Sequence, residues 1–300
     1  MKRIIRGAAL AALFALTACG GGGNPLEQGG AAQPGTITVG SANFQENVLL
    51  AEIYAQALEA KGIKVNRKFN IGSREVIFDQ IKSGALTVLP EYNGALLAYL
   101  DKDAKATSTE QVNIALKQKL PPELELLDSA PAENKDSVTV TKATADKYKL
   151  KTLEDLAPVA KDMTLGGPPE FKTRMQGVVG LKSVYGIEFK EFKPLDTAGP
   201  VTVAALKNGD IQAANLFTTD PSIPQNGFVV LEDPKDLFSA QNVTPLVYKK
   251  GVDDKVRSTL NAVSVKLDTK TLTELDKRLI VDKDDAEQIA KDWLKSQGLA

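Results

Sequence analysis

TITVGSANFQENVLLAEIYAQALEAKGIKVNRKFNIGSREVIFDQIKSGALTVL, residues 36–89, decides the fold. Thr36-Ile37-Thr38-Val39-Gly40 reads as a short strand. From Asn47 to Lys61 the apolar residues Val48, Leu49, Ile53, Ala57 and Leu58 fall at helical spacing, and Gly62 stops the run. Ile63, Val65, Arg67 and Phe69 alternate as a second strand. Ser73 offers an N-cap for a helix through Lys82, Gly84 ends it, and Ala85 to Leu89 make a third strand. This is βαβαβ, which predicts a mainly parallel sheet. Pro90-Glu91-Tyr92-Asn93 reads as the polar loop that follows.

Working outward, a second run of the same kind follows Pro131. It has a strand from Ser137 to Thr141, a helix opened by Thr152 with Asp155 three residues on, and a strand from Met163 to Leu165. A helix Val201 to Lys207, then Gly209 and a strand Ile211 to Leu216, repeat the earlier helix-glycine-strand order at an offset of 125 residues. Two similar α/β lobes account for that repeat. After Phe228 to Leu231 and the apolar stretch Asn242 to Tyr248, the chain is mostly helical from Asp253, and those helices need a surface to cover, which the first sheet provides. The chain then crosses between lobes near 132–136 and 241–245, giving lobe I as 36–133 plus 244–300 and lobe II as 134–243. Two crossings make a hinge, and a cleft between lobes is where small ligands are held.

Before the lobes, residues 1–18 carry Lys2, Arg3 and Arg6 and then an apolar run from Ala8 to Leu16, the pattern of a secretory signal peptide. Leu16-Thr17-Ala18-Cys19 resembles a bacterial lipobox, which implies cleavage before Cys19 and a lipid on its sulfur. Residues 19–35, rich in glycine, read as a flexible tether. The composition removes several functions. The 300 residues hold no histidine and one cysteine, so His-dependent catalysis, His-ligated zinc and a disulfide framework are excluded. A net charge of −1 gives no footprint for nucleic acid. No Gly-rich phosphate loop occurs in the body, and no metal or cofactor is expected.

Several motifs then become informative in order: Ser41-Ala42-Asn43-Phe44-Gln45-Glu46, Pro90-Glu91-Tyr92-Asn93-Gly94, Pro131-Ala132-Glu133-Asn134, Gly167-Pro168-Pro169-Glu170-Phe171-Lys172-Thr173-Arg174, Phe217-Thr218-Thr219-Asp220 and Asn242-Val243-Thr244-Pro245. Together they resemble the substrate-binding lipoproteins of osmoprotectant ABC importers, the glycine betaine, carnitine and choline family. The resemblance spans the mature chain. It implies a type II periplasmic-binding-protein fold, two α/β lobes joined by a two-segment hinge. It also implies a monomeric, non-enzymatic lipoprotein on the outer face of the membrane, which takes a small solute and hands it to a permease and its ATPase.

A quaternary ammonium has no N–H to donate, so such a site relies on aromatic faces. A ligand carboxylate asks for helix N-termini or an arginine fork. Ser41, Asn43, Phe44 and Ser73 lie where strands yield to helices, and Arg174 offers the fork. Tyr92 matches a family cage tyrosine, with Asn93 beside it. Two further cage tyrosines are replaced by Asp136 and Gln241, leaving Asn134, Asn242, Thr218, Thr219 and Asp220 to complete a candidate site of more polar character. Plainer readings stand beside these: Ser41 and Asn43 as helix caps, Asp136 and Gln241 as solvated hinge residues, Arg174 as a surface ion-pair partner and Asp220 as the cap of a turn. A ligand drifted from betaine, towards a polar amine, amino acid or aromatic compound, is the alternative within the family. A sensory lipoprotein, or an enzyme using Glu91 and Asp220, stands outside it.

Overall fold

A computed structural model describes residues 35–300, so the expected leader, Cys19 and all of the tether except Gly35 lie outside the described residues. Among the described residues ten strands form two sheets. They are β1 (Thr36–Gly40), β2 (Lys64–Lys68), β3 (Val88–Tyr92), β4 (Leu124–Leu126), β5 (Asp136–Thr141), β6 (Thr164–Gly167), β7 (Glu191–Pro194), β8 (Ala213–Phe217), β9 (Phe228–Val230) and β10 (Val243–Tyr248). The first sheet runs β2-β1-β3-β10-β4 and the second β7-β6-β8-β5-β9. In each, three strands are parallel and the fourth is antiparallel to both of its neighbours. That fourth strand, β10 or β5, is the one that follows a crossing. The sheets are therefore mixed, because each takes one strand from a chain arriving out of the other lobe.

Successive residues of a strand face opposite sides of its sheet, and both faces of the first sheet are covered. Val88 and Val247 pack with the helix Gln45–Ala60 and with Leu260, Ile289 and Trp293 of the C-terminal helices, while Leu89 and Leu246 pack with Ile77, Phe78 and Leu96. The C-terminal helices cover the first sheet, as their need for a surface suggests. In the second sheet Val138, Val140 and Leu165 pack against Leu153, Phe171 and Leu181.

The 125-residue repeat is structural. Helices Arg74–Lys82 and Pro200–Asn208 precede Gly84 and Gly209, both at φ +80°, where a left-handed turn leads into β3 and β8. Pro90-Glu91-Tyr92, expected as loop, forms the last three residues of β3. Pro90 lies opposite Pro245 of β10. Neither nitrogen can donate, so this is a non-hydrogen-bonded position of the ladder, and the prolines that suggest a loop are accommodated there.

Candidate functional site

The ends of β3 and β8, the loop after β1 and the start of β5 meet around a cavity between the lobes. Ligands of open α/β sheets are held beyond such carboxyl strand ends. Asn47 shapes the first wall: its Oδ1 accepts the Ala42 N–H at 2.7 Å and its Nδ2 donates to the Pro90 carbonyl at 3.0 Å, tying the β1 loop to β3. Phe44, extended at the position before helix Gln45–Ala60, turns its ring between two others. Its centroid is 5.9 Å from Tyr92 and 5.0 Å from Phe217. Tyr92 and Phe217 end the equivalent strands β3 and β8, so the repeat itself brings one ring from each lobe against Phe44.

Charges flank this aromatic column. Arg74 donates from Nε and Nη2 to the two oxygens of Glu91, each at 2.7 Å, and both side chains are nearly buried. Burial alone would lower the Arg74 pKa, but the charge and hydrogen bonds of Glu91 raise it and keep the guanidinium charged. Asp136 is 7% exposed and accepts from Asn215 Nδ2 at 2.9 Å. Burial pushes its carboxyl pKa up, against the pull of Asn215, Arg174, Arg74 and Gln241. Gln241 donates to Gln176 at 3.1 Å. Arg174, offered as a fork for a ligand carboxylate, instead grips Glu75 across the cleft at 2.9 and 2.8 Å. Although burial works upward on Glu75, the Arg174 bonds and charge bring it down to about 2.

Glu46, in the first turn of helix Gln45–Ala60, is buried and accepts three hydrogen bonds: from Tyr92 Oη at 2.5 Å, Asn134 Nδ2 at 2.8 Å and Thr219 Oγ1 at 2.6 Å. These donors come from β3, from the first crossing and from the loop after β8. One carboxylate thereby joins both lobes and the hinge.

Of the expected residues, Asn43, Phe44, Ser73, Tyr92, Asn134, Asp136, Arg174 and Gln241 line this cavity, while Thr219 and Asp220 line an adjoining one. Four others lie off the walls. Ser41 donates to the Ala42 carbonyl in its own loop and accepts from the Asn70 N–H in the loop after β2, and Thr218 accepts from the Lys135 N–H. Asn93 and Asn242 hold each other and Asn113, Thr109 and Ala130. Nor do Ser41 and Asn43 cap the helix, whose N-cap Phe44 receives no side-chain bond. Sequence reasoning missed Glu46, Arg74 and Phe217. Phe217 was within reach, because the 125-residue offset maps it onto Tyr92; Arg74 and Glu46 carry no comparable signal.

Two α/β lobes, a two-segment hinge and a cleft between the lobes define the class of bilobal solute-binding proteins with the type II fold. The model for the substrate-binding domain of ABC-type glycine betaine transport systems matches residues 35–296, and the chain belongs to that family. It is 30% identical over 277 residues to the glycine betaine-binding protein YehZ of Escherichia coli, covering 87% of this chain and 90% of that one. It is 25% identical to a glycine-betaine-binding protein of Pseudomonas aeruginosa, over 100% and 96% of the two chains. A crystal structure titled as a glycine betaine/carnitine/choline ABC transporter superposes with a TM-score of 0.69 at 24% identity, covering 88% of this chain and 99% of that one. The protein is an extracytoplasmic substrate-binding component of an ABC importer.

Proposed function

We propose that the protein captures a small organic cation or zwitterion of the osmoprotectant kind between its lobes and delivers it to the permease. The observation that carries this is the aromatic column Phe44, Tyr92 and Phe217, drawn from both lobes and set beside the buried carboxylate of Asp136. Aromatic faces attract an organic cation, each by about 0.5–2 kcal/mol. Phe44, expected in the site, and Phe217 supply rings beside Tyr92 where two tyrosines of the family pattern are replaced. Closure brings Phe217 to Phe44 and so completes the column.

Attachment through a lipid on Cys19 and action as a monomer belong to the same reading. Cys19→Ala then leaves a secreted protein unbound to membranes. The solute reading is tested by isothermal titration with glycine betaine, carnitine, choline and their demethylated analogues. Saturable binding of at least one, recovered unaltered, is expected. Absence of binding by all of them, or turnover of any, overturns it.

A further inference from the structure

The 125-residue repeat sets the helices Arg74–Lys82 and Pro200–Asn208 in equivalent places, and residues 73–84 can be laid over 198–209. Of these twelve positions only three carry the same residue: Val76 over Val201, Lys82 over Lys207 and Gly84 over Gly209. The glycines share the left-handed turn already described. Packing does not account for the other two pairs. Buried positions have diverged, with Ile77 over Thr202 and Ile81 over Leu206, whereas Val76 and Val201 are each 55% exposed and both lysines are exposed.

One surface valine needs no explanation. What calls for one is a repeat that keeps identity on its outside and loses it inside, the reverse of what a purely structural repeat requires. The outer faces correspond throughout: positions 75, 76, 79, 82 and 83 are exposed, and so are 200, 201, 204, 207 and 208. The lysine ion pairs of the described residues lie elsewhere, which leaves Lys82 and Lys207 free to meet a partner.

Both faces start at the cleft. Ser73 and Arg74 line the cavity together with Thr197, and Gly199 and Pro200 line the adjoining one. Val76 and Val201 therefore lie within a helical turn of the cleft, one on each lobe. Each lysine follows six residues later, about 9 Å further along its helix. Glu75, next to Val76, is bonded to Arg174 of the other lobe, so closure fixes the spacing between the two faces.

We propose that these two faces are the docking surface for the permease, each meeting one of two like subunits through an apolar contact at the valine and an acidic group at the lysine. This rests on delivery to a permease and not on the nature of the solute. Two equal patches flanking one cleft fit a partner that offers the same feature twice, as a paired permease does. A second copy of this chain fits less well, because matching the faces would set lysine against lysine. Since the patches belong to different lobes, a filled, closed cleft presents them at the seated spacing and docks more tightly than an open one.

The test uses the chain carrying Cys19→Ala, which has no lipid of its own to bind a bilayer, and nanodiscs holding the permease and ATPase of the same importer, with empty nanodiscs for comparison. Val76→Asp and Val201→Asp should each weaken docking tenfold or more, and together by about the product, as expected of separate sites. Lys82→Gln and Lys207→Gln should each weaken it about threefold and flatten its dependence on salt. Solute affinity should stay within twofold in every variant, which also shows that each is folded. Val265→Asp, at a valine 70% exposed on the helix Asp254–Lys266, should dock normally. No docking by the chain without these substitutions, full docking by the valine variants, loss at only one valine, equal loss with Val265→Asp, equal binding to empty nanodiscs, or self-association through the two valines would overturn the inference. Failure of the cation titrations overturns the solute reading alone, because docking is measured independently on the solute-free chain.

Discussion

At the residue scale, Tyr92 does two things that substitution can separate. Its ring faces Phe44 and its hydroxyl bonds Glu46. Tyr92→Phe keeps the ring and removes one of three donors to a buried carboxylate, so it should cost about 1–2 kcal/mol in thermal unfolding while changing solute affinity little. Phe217→Ala does the reverse. It should weaken binding of whichever cation the titrations identify by about twofold to thirtyfold, at the magnitude of one cation–π contact, and unchanged affinity would remove Phe217 from the site. The sequence expected Tyr92 in a loop, poorly placed for a core; it instead ends β3, packs in the first lobe's core and lines the cavity from there. Glu46 was not legible, since an acid in the first turn of a helix is ordinary and only the three-dimensional meeting of β3, the crossing and the β8 loop makes it a junction.

At the element scale, the periodic segments and the glycine stops were readable, and the boundaries that depend on partners were not. Thr152 and Asp155 form the expected capping box, each side chain bonding the other's backbone N–H. Thr152→Ala should lower stability by about 1 kcal/mol, measured by denaturant unfolding. The strand β3 extends beyond its expected end because β10, 150 residues downstream, pairs with it as far as Tyr92. No local pattern announces such a partner. The helix Thr109–Lys119 gave little signal, since it buries only Val112 and Leu116. Gly94, the second residue of the helix Asn93–Leu100, lies against the Ala240 carbonyl, so close that a Cβ would displace the chain entering the second crossing. Gly94→Ala should disturb closure, visible as lost affinity out of proportion to any change in melting temperature.

At the scale of the whole molecule, the lobes are clasped by Arg174–Glu75 on one side of the aromatic column and by Glu46–Thr219 on the other. Glu75→Gln should shift the solute-free protein toward an open form, seen as a larger radius in solution scattering. Because the folded Glu75 pKa is depressed to about 2, its contribution is full above its ordinary 4.5 and fades only as the pH falls through about 2. The buried Asp136, Asp220 and Asp276 have the opposite sign: burial raises their folded pKa values, so they stabilise the fold at low pH and lose that contribution as the pH rises through those values. The chain has no histidine to obscure the effect. The melting temperature should fall as the pH rises through the folded pKa values of these carboxyl groups, and a rise over that span would contradict the assignment.

The two crossings are not independent threads. The Asn134 N–H donates to the Gln241 carbonyl at 3.0 Å, the Val243 N–H donates to the Ala132 carbonyl at 3.0 Å, and Glu133 pairs with Asn242. Bonded side by side, they form a ribbon that resists twisting and bends across its width. Lobe motion is thereby reduced to one principal coordinate, so a single donor–acceptor fluorophore pair, one on each lobe away from the ribbon, would convert occupancy into an optical signal without further engineering of the cleft.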